Sequence, residues 1–121
     1  MKLTRDAILK AGAKLASEKV EVPEWGGTVT VVELTGRERD AWEADIVELN
    51  EAGDDAKMSL ENARAKLAVR TVVDDDGKRI FTDDDIEELG STSARALSRI
   101  FNVASRLSGL TPGDMDELTK N

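Results

Sequence analysis

The sequence contains no cysteine, no histidine and no tyrosine. Without cysteine there is neither a disulfide nor a thiolate metal site. Without histidine the commonest general base and the commonest zinc ligand are missing, and Ser–His and Cys–His nucleophile pairs are excluded. Carboxylates and lysines remain, but no spacing arranges them for acid–base work, and no cofactor motif is present. Aromatic residues make up only 3% of the chain, so a core must be built from Leu, Ile, Val and Ala and is expected to be thin. Long apolar runs are absent too. The opening segment, MKLTRDAILKAGAKLAS, is broken by Arg5, Asp6, Lys10 and Lys14. That rules out the roughly 7–15 uninterrupted apolar residues of a secretory signal. Nothing approaches the ~20 needed to span a bilayer, so the expected location is the cytoplasm.

Positive charge is in deficit: 17 Lys and Arg stand against 25 Asp and Glu, a net charge of −8. Phosphate backbones and anionic membrane surfaces repel such a chain, so neither nucleic acid nor membrane is an expected partner. The 121 residues are 40% hydrophobic and 35% charged, which fits one folded domain rather than a disordered chain.

What is there reads as an α+β domain, mainly helical, with an N-terminal hairpin over 18–34 and a helical region over 35–121. Thr4 caps a first helix predicted over 4–16. Val20 and Val22 alternate with charged residues, Pro23 ends that strand, Gly26-Gly27 supplies a tight turn, and the chain returns through Val29 and Val31. Thr35 and Glu38 form a capping box for a helix predicted over 36–51, with Trp42, Ile46 and Leu49 on one face. A polar break at 52–56 predicts a mobile loop. Ser59 then caps a helix to Thr71 that is apolar on several sides and is therefore expected to be central. Two short extended pieces flank Asp76-Gly77, and Thr82 with Asp85 makes a second capping box for a helix ending at Gly90. Ser91 opens the clearest helix, which Gly109 ends, and Pro112 opens a last short one.

Three features are candidate sites. The acidic run from Asp74 to Glu88 places Asp74 and Asp76 at ligand positions of a calcium loop centred on Gly77. Val72 and Asp83 are the wrong residues for its first and last positions, so solvated carboxylates at a turn and a helix start explain the run, and no metal site is expected. In the helix from Ser91, the residues Arg95, Arg99 and Arg106 fall within a stripe about 40° wide, opposite Leu97, Ile100, Phe101, Ala104 and Leu107. The stripe is either a solvated face of a core helix or a surface that docks on carboxylates of another subunit or partner. Trp25, at the hairpin tip, is either folded back over the hairpin or offered to a partner. Trp25, Arg95, Arg99 and Arg106 are therefore the candidate partner-binding residues, with self-association among the contacts they would serve, and Trp42 is expected in the core.

The order of segments carries further. LTRDAILKA, VEVPEWGGTVTVVELTGRERDAW, AKLAVRTVVDDDGKRIFTDDDIEELG and ARALSRIFNVASRLSGLTP together resemble tail assembly chaperones of long-tailed bacteriophages. The resemblance implies a non-enzymatic role in the host cytoplasm. It implies binding to the tape measure protein before the tail tube polymerises, and absence from the finished virion. It also implies help in recruiting tail tube protein, in many members through a longer frameshifted product. Another phage structural or neck protein retained in the virion, and a small acidic regulatory binding protein, are the alternative readings.

Overall fold

The computed structural model describes residues 2–12, 14–49, 56–58 and 62–110. Helix α1, Arg5–Gly12, comes first, capped by Thr4, whose hydroxyl accepts the Ala7 N–H at 3.2 Å. It ends at Gly12, short of the predicted residue 16, and none of its residues is buried.

Strands β1, Ser17–Val22, and β2, Gly27–Val32, form the predicted antiparallel hairpin, with Glu18 opposite Val31, Val20 opposite Val29 and Val22 opposite Gly27. Pro23–Trp25 makes a single 3₁₀ turn between them, closed by Gly26 at φ 73°, a left-handed conformation that glycine adopts without penalty. Because side chains alternate along a strand, Glu18, Val20 and Val22 share one face with Val29 and Val31. Val22 and Val31 are fully buried there. A third strand, β5, Val72–Val73, adds to the other edge of β2, with Val72 opposite Val31 and Val73 opposite Thr30. The predicted extended pair around Gly77 exists, as a bridge between Val73 and Arg79, but one arm of it also completes this sheet.

Helix α2, Gly36–Ile46, starts where Thr35 accepts the Glu38 N–H at 3.1 Å. The Glu38 carboxylate, expected to reach back to Thr35, instead accepts from Arg70. The helix stops at Ile46 rather than continuing to residue 51. Val47–Leu49 is strand β3 and pairs antiparallel with β4, Ala56–Met58. Ile46 and Val47 are β-branched and poor helix formers, and Val47 and Leu49 already alternate as strand residues do. Of the break at 52–56, residue 56 begins β4 and the rest lies outside the described residues, as do Ser59 and Pro112 with the cap and the last helix expected of them.

Helix α3, Ala63–Thr71, is central as its composition predicts: Ala63, Ala65, Leu67, Ala68, Val69 and Thr71 are all buried. It packs against α2, against the short α4, Ile86–Gly90, and against α5, Ala94–Leu107. The Thr82–Asp85 capping box forms as read, over a 3₁₀ turn at Asp83–Asp85 that leads into α4. Helix α5 is capped by Ser93 rather than Ser91, and Ser93 accepts the Ala96 N–H at 3.3 Å. At its other end Gly109, at φ 73°, sends its N–H to the Arg106 carbonyl while the Leu110 N–H reaches the Ser105 carbonyl. Those two bonds satisfy carbonyls that every helix C-terminus leaves open.

The core joins the valine face of the sheet to α2, α3 and α5. Trp42 is its largest member and is fully buried. Its indole N–H donates to the Ala63 carbonyl at 3.2 Å, and its ring meets Phe101 at 6.4 Å, tilted by 56°.

Candidate interaction surface

The site residues read from the sequence lie where α5 crosses the hairpin. The packing of α5 onto β1 and the 3₁₀ turn brings its arginine stripe beside two glutamates. The Arg99 guanidinium donates from Nε and Nη2 to the two carboxylate oxygens of Glu24, at 2.9 and 3.1 Å. Arg106 donates to Glu18 at 2.6 Å. Glu18 is available because strand alternation puts it on the valine face, which α5 covers. The helix runs from Arg99 toward Arg106 as the hairpin runs back from Glu24 toward Glu18, so α5 is antiparallel to β1. Two contacts about 10 Å apart along the helix fix that direction.

The Arg99 hydrogen bonds, helped by a backbone bond within Glu24 and by the charges of Arg99 and Arg95, hold the Glu24 carboxyl below its ordinary pKa. Glu24 in turn raises the pKa of Arg99. Arg95 is exposed and contributes to this cluster through its field. Trp25 is half-buried and packed against the core, next to Glu24 in the same turn. The structure thus gathers Trp25, Arg95 and Arg99 at the hairpin tip and places Arg106 at the far end of the same face. Arg99 and Arg106 have carboxylate partners within their own chain, yet their side chains remain 45% and 60% exposed.

A second cation site escaped the sequence reading. Arg70, near the end of α3, donates to Glu38 of α2 and, at 2.9 Å, to Asp45. Burial works against its charge, but the two carboxylates outweigh it and hold its pKa above the ordinary value. No sequence signal marks this triad, because only the packing of α3 on α2 assembles it.

Of the aspartates before Gly77, Asp74 is engaged with the backbone of its own turn. The Asp74 carboxylate accepts the N–H groups of Asp76 and Lys78 at 2.8 and 3.0 Å, and Gly77 sits at φ 80°. Arg79 is tied to the Val69 carbonyl and to Asp83. Among the described residues no group of three or more Asp and Glu is placed to hold a metal ion, and no helix is long and apolar enough to cross a membrane.

Comparison with known proteins agrees with this architecture. The solved structure of the bacteriophage HK97 tail assembly chaperone superimposes with a TM-score of 0.56 over 84% of this chain and 94% of that one, at 22% sequence identity, so the two share a fold. Direct comparison with curated protein sequences gives no significant match. The sequence profile of the phage tail assembly chaperones matches residues 3–121, nearly the whole length, and the chain belongs to that family.

Proposed function

We propose that this chaperone binds the tape measure protein in the host cytoplasm, keeps it soluble while tail tube subunits assemble around it, and is absent from the mature virion. It acts without enzymatic chemistry. It helps to recruit tail tube protein, through a longer frameshifted product of the same gene. The observation that carries this reading is the family match over residues 3–121. The absence of histidine and cysteine supports it. The proposed contact surface is Trp25 with Arg95, Arg99 and Arg106. An aromatic anchor beside exposed guanidiniums suits a helix that carries both apolar and acidic residues. The partner's carboxylates would compete with Glu24 and Glu18 for the two paired arginines.

Co-expression with the long tape measure product of the same phage tests this. The expected result is a soluble complex that co-purifies, weakens when Trp25→Ala and Arg95→Glu are combined, and is missing from purified virions by mass spectrometry. A tape measure protein that stays soluble alone and never co-purifies would overturn the assignment. Recovery of the chain in stoichiometric amounts from virions would identify a retained structural component instead.

A further inference from the structure

Strand β1 ends its sheet, whose order is β1, β2, β5, and no described strand lies on its outer side. The register says which backbone groups that edge offers. The Glu33 N–H bonds to the Ala16 carbonyl at 2.8 Å, one step beyond the Ser17–Val32 pair. Bonded and unbonded pairs alternate along an antiparallel ladder, so Glu18, Val20 and Val22 bond to β2, while Ser17, Lys19 and Glu21 turn their N–H and C=O groups outward. Those three residues are exposed, and none of their N–H groups donates to another described residue.

Proteins guard such an edge with a very short strand, a bulge or an inward-pointing charge. Strand β1 has six residues and a register without a bulge. Its inward-pointing charge is Glu18, which Arg106 neutralises. Helix α5 lies over β1 and β2, with its Phe101 flank turned toward Trp42 of α2 and Arg64 of α3. The arginine flank is therefore on the side of the free edge, above the place where a further strand would lie. Donors remain available there. Arg106 spends one nitrogen on Glu18, Arg99 leaves Nη1 unused, and Arg95 has no hydrogen bond among the described residues.

We propose that the β1 edge takes an extended acidic segment of another protein as a further strand of the sheet, its backbone bonded to Ser17, Lys19 and Glu21 and its inward carboxylates meeting Arg95, Arg99 and Arg106. Side chains on one face of a strand recur about every 6.8 Å, so three of them span about 14 Å, against about 16 Å from Arg95 to Arg106 along α5. The segment's other side chains lie beside Ser17, Lys19 and Glu21 on the open face of the sheet, where small or apolar residues fit. Main-chain bonds supply affinity, and the arginines select the charge. This contact is separate from the helical one proposed above. It needs an extended partner and the backbone of β1, and Trp25 takes no part in it.

Amide hydrogen exchange by nuclear magnetic resonance on the full chain tests the proposal, with a short capped peptide of alternating valine and glutamate as the probe. At millimolar peptide and low salt, exchange should slow by about tenfold at Ser17, Lys19 and Glu21 and stay unchanged at Glu18 and Val20, which already bond to β2. Methylating the peptide's edge-facing nitrogens removes its donors without touching the protein, and should weaken binding by about tenfold. A peptide with lysine in place of glutamate should not bind. Arg95→Glu, which alters one exposed side chain, should weaken the acidic peptide by about fivefold while far-ultraviolet circular dichroism stays unchanged. Lys19→Pro removes one outward N–H at an edge, where proline is tolerated, and should weaken it likewise. Unprotected amides at Ser17, Lys19 and Glu21, or equal binding of the methylated or the lysine peptide, would overturn the proposal. Protection of the same amides that rises with protein concentration in the absence of peptide would overturn it as well, because the edge would then pair two copies.

Discussion

Arg99 and Glu24 are 75 residues apart in the chain, yet the guanidinium of one grips both carboxylate oxygens of the other. The pair ties the hairpin tip to the last helix of the core. It is also the polar counterpart of the apolar contact that Val20, Val22 and Val31 make beneath it.

The pair has a pH signature. Glu24 titrates below its ordinary 4.5 in the folded chain because Arg99 holds the charged form. A depressed folded pKa gives stability that is fully present above the unfolded pKa and is lost as pH falls through the folded one. Comparing parent and Glu24→Gln by thermal melting should therefore show a constant difference near neutrality. That difference should shrink once the pH drops below 4.5 and should shrink at neutral pH in molar salt. A difference that is independent of pH between 7 and 3, roughly spanning the carboxylate range, would mean that the pair contributes nothing.

Local signals were legible in the sequence, and tertiary ones were not. Gly26, Thr82 with Asp85, and Gly109 each sit in the turn or cap their chemistry demands, because those preferences act over three or four residues. The arginine stripe was visible as a periodicity, but its partners Glu18 and Glu24 were not, since nothing local says which face of the hairpin α5 will cover. Helix α1 shows the converse. Its spacing reads as an amphipathic helix, yet spacing cannot say whether the apolar side has anything to meet. Strands β3 and β4 were missed because a strong helix start at Thr35 outweighed the short alternation of Val47 and Leu49.

Arg70 should matter more than any exposed pair. Its side chain is only 10% exposed and serves two carboxylates of α2, so replacing it with Met removes both bonds and leaves Glu38 and Asp45 without the guanidinium they share. The carboxylates keep contact with water, so the expected loss is about 2 kcal/mol rather than the larger cost of a fully buried pair. Arg70→Lys should recover about half of it, because an ammonium lacks the fork that reaches both partners. Urea unfolding of the three proteins measures this directly.

Trp42→Phe should separate packing from hydrogen bonding in the core. The indole N–H is bonded to the Ala63 carbonyl in a fully buried site, so phenylalanine removes that bond, leaving the carbonyl only its place in the helix ladder, and also removes ring volume. The expected cost is about 2 kcal/mol, against about 3–5 kcal/mol for Trp42→Ala, which empties the site. Equal losses for the two variants would show that the hydrogen bond, not the volume, holds this end of α3 to α2.

Gly90 and Asn62 should behave as a coupled pair. A Cβ added to Gly90 would lie 2.1 Å from the Oδ1 of Asn62, while Gly90 itself has an ordinary backbone conformation. Asn62, before α3, is the one non-glycine residue with positive φ among the described residues, at 59°, and its amide donates to Glu87 at 3.4 Å. Gly90→Ala alone should therefore push the Asn62 side chain away and cost about 1 kcal/mol. Asn62→Gly relieves the left-handed backbone and removes the obstructing atom together. In that background Gly90→Ala should become neutral, or stabilising by about 0.5 kcal/mol, because alanine is the better helix former in α4. A double-mutant cycle by chemical denaturation would then give a coupling of about 1–1.5 kcal/mol. Strict additivity would show that the α3–α4 junction accommodates the methyl group without involving Asn62.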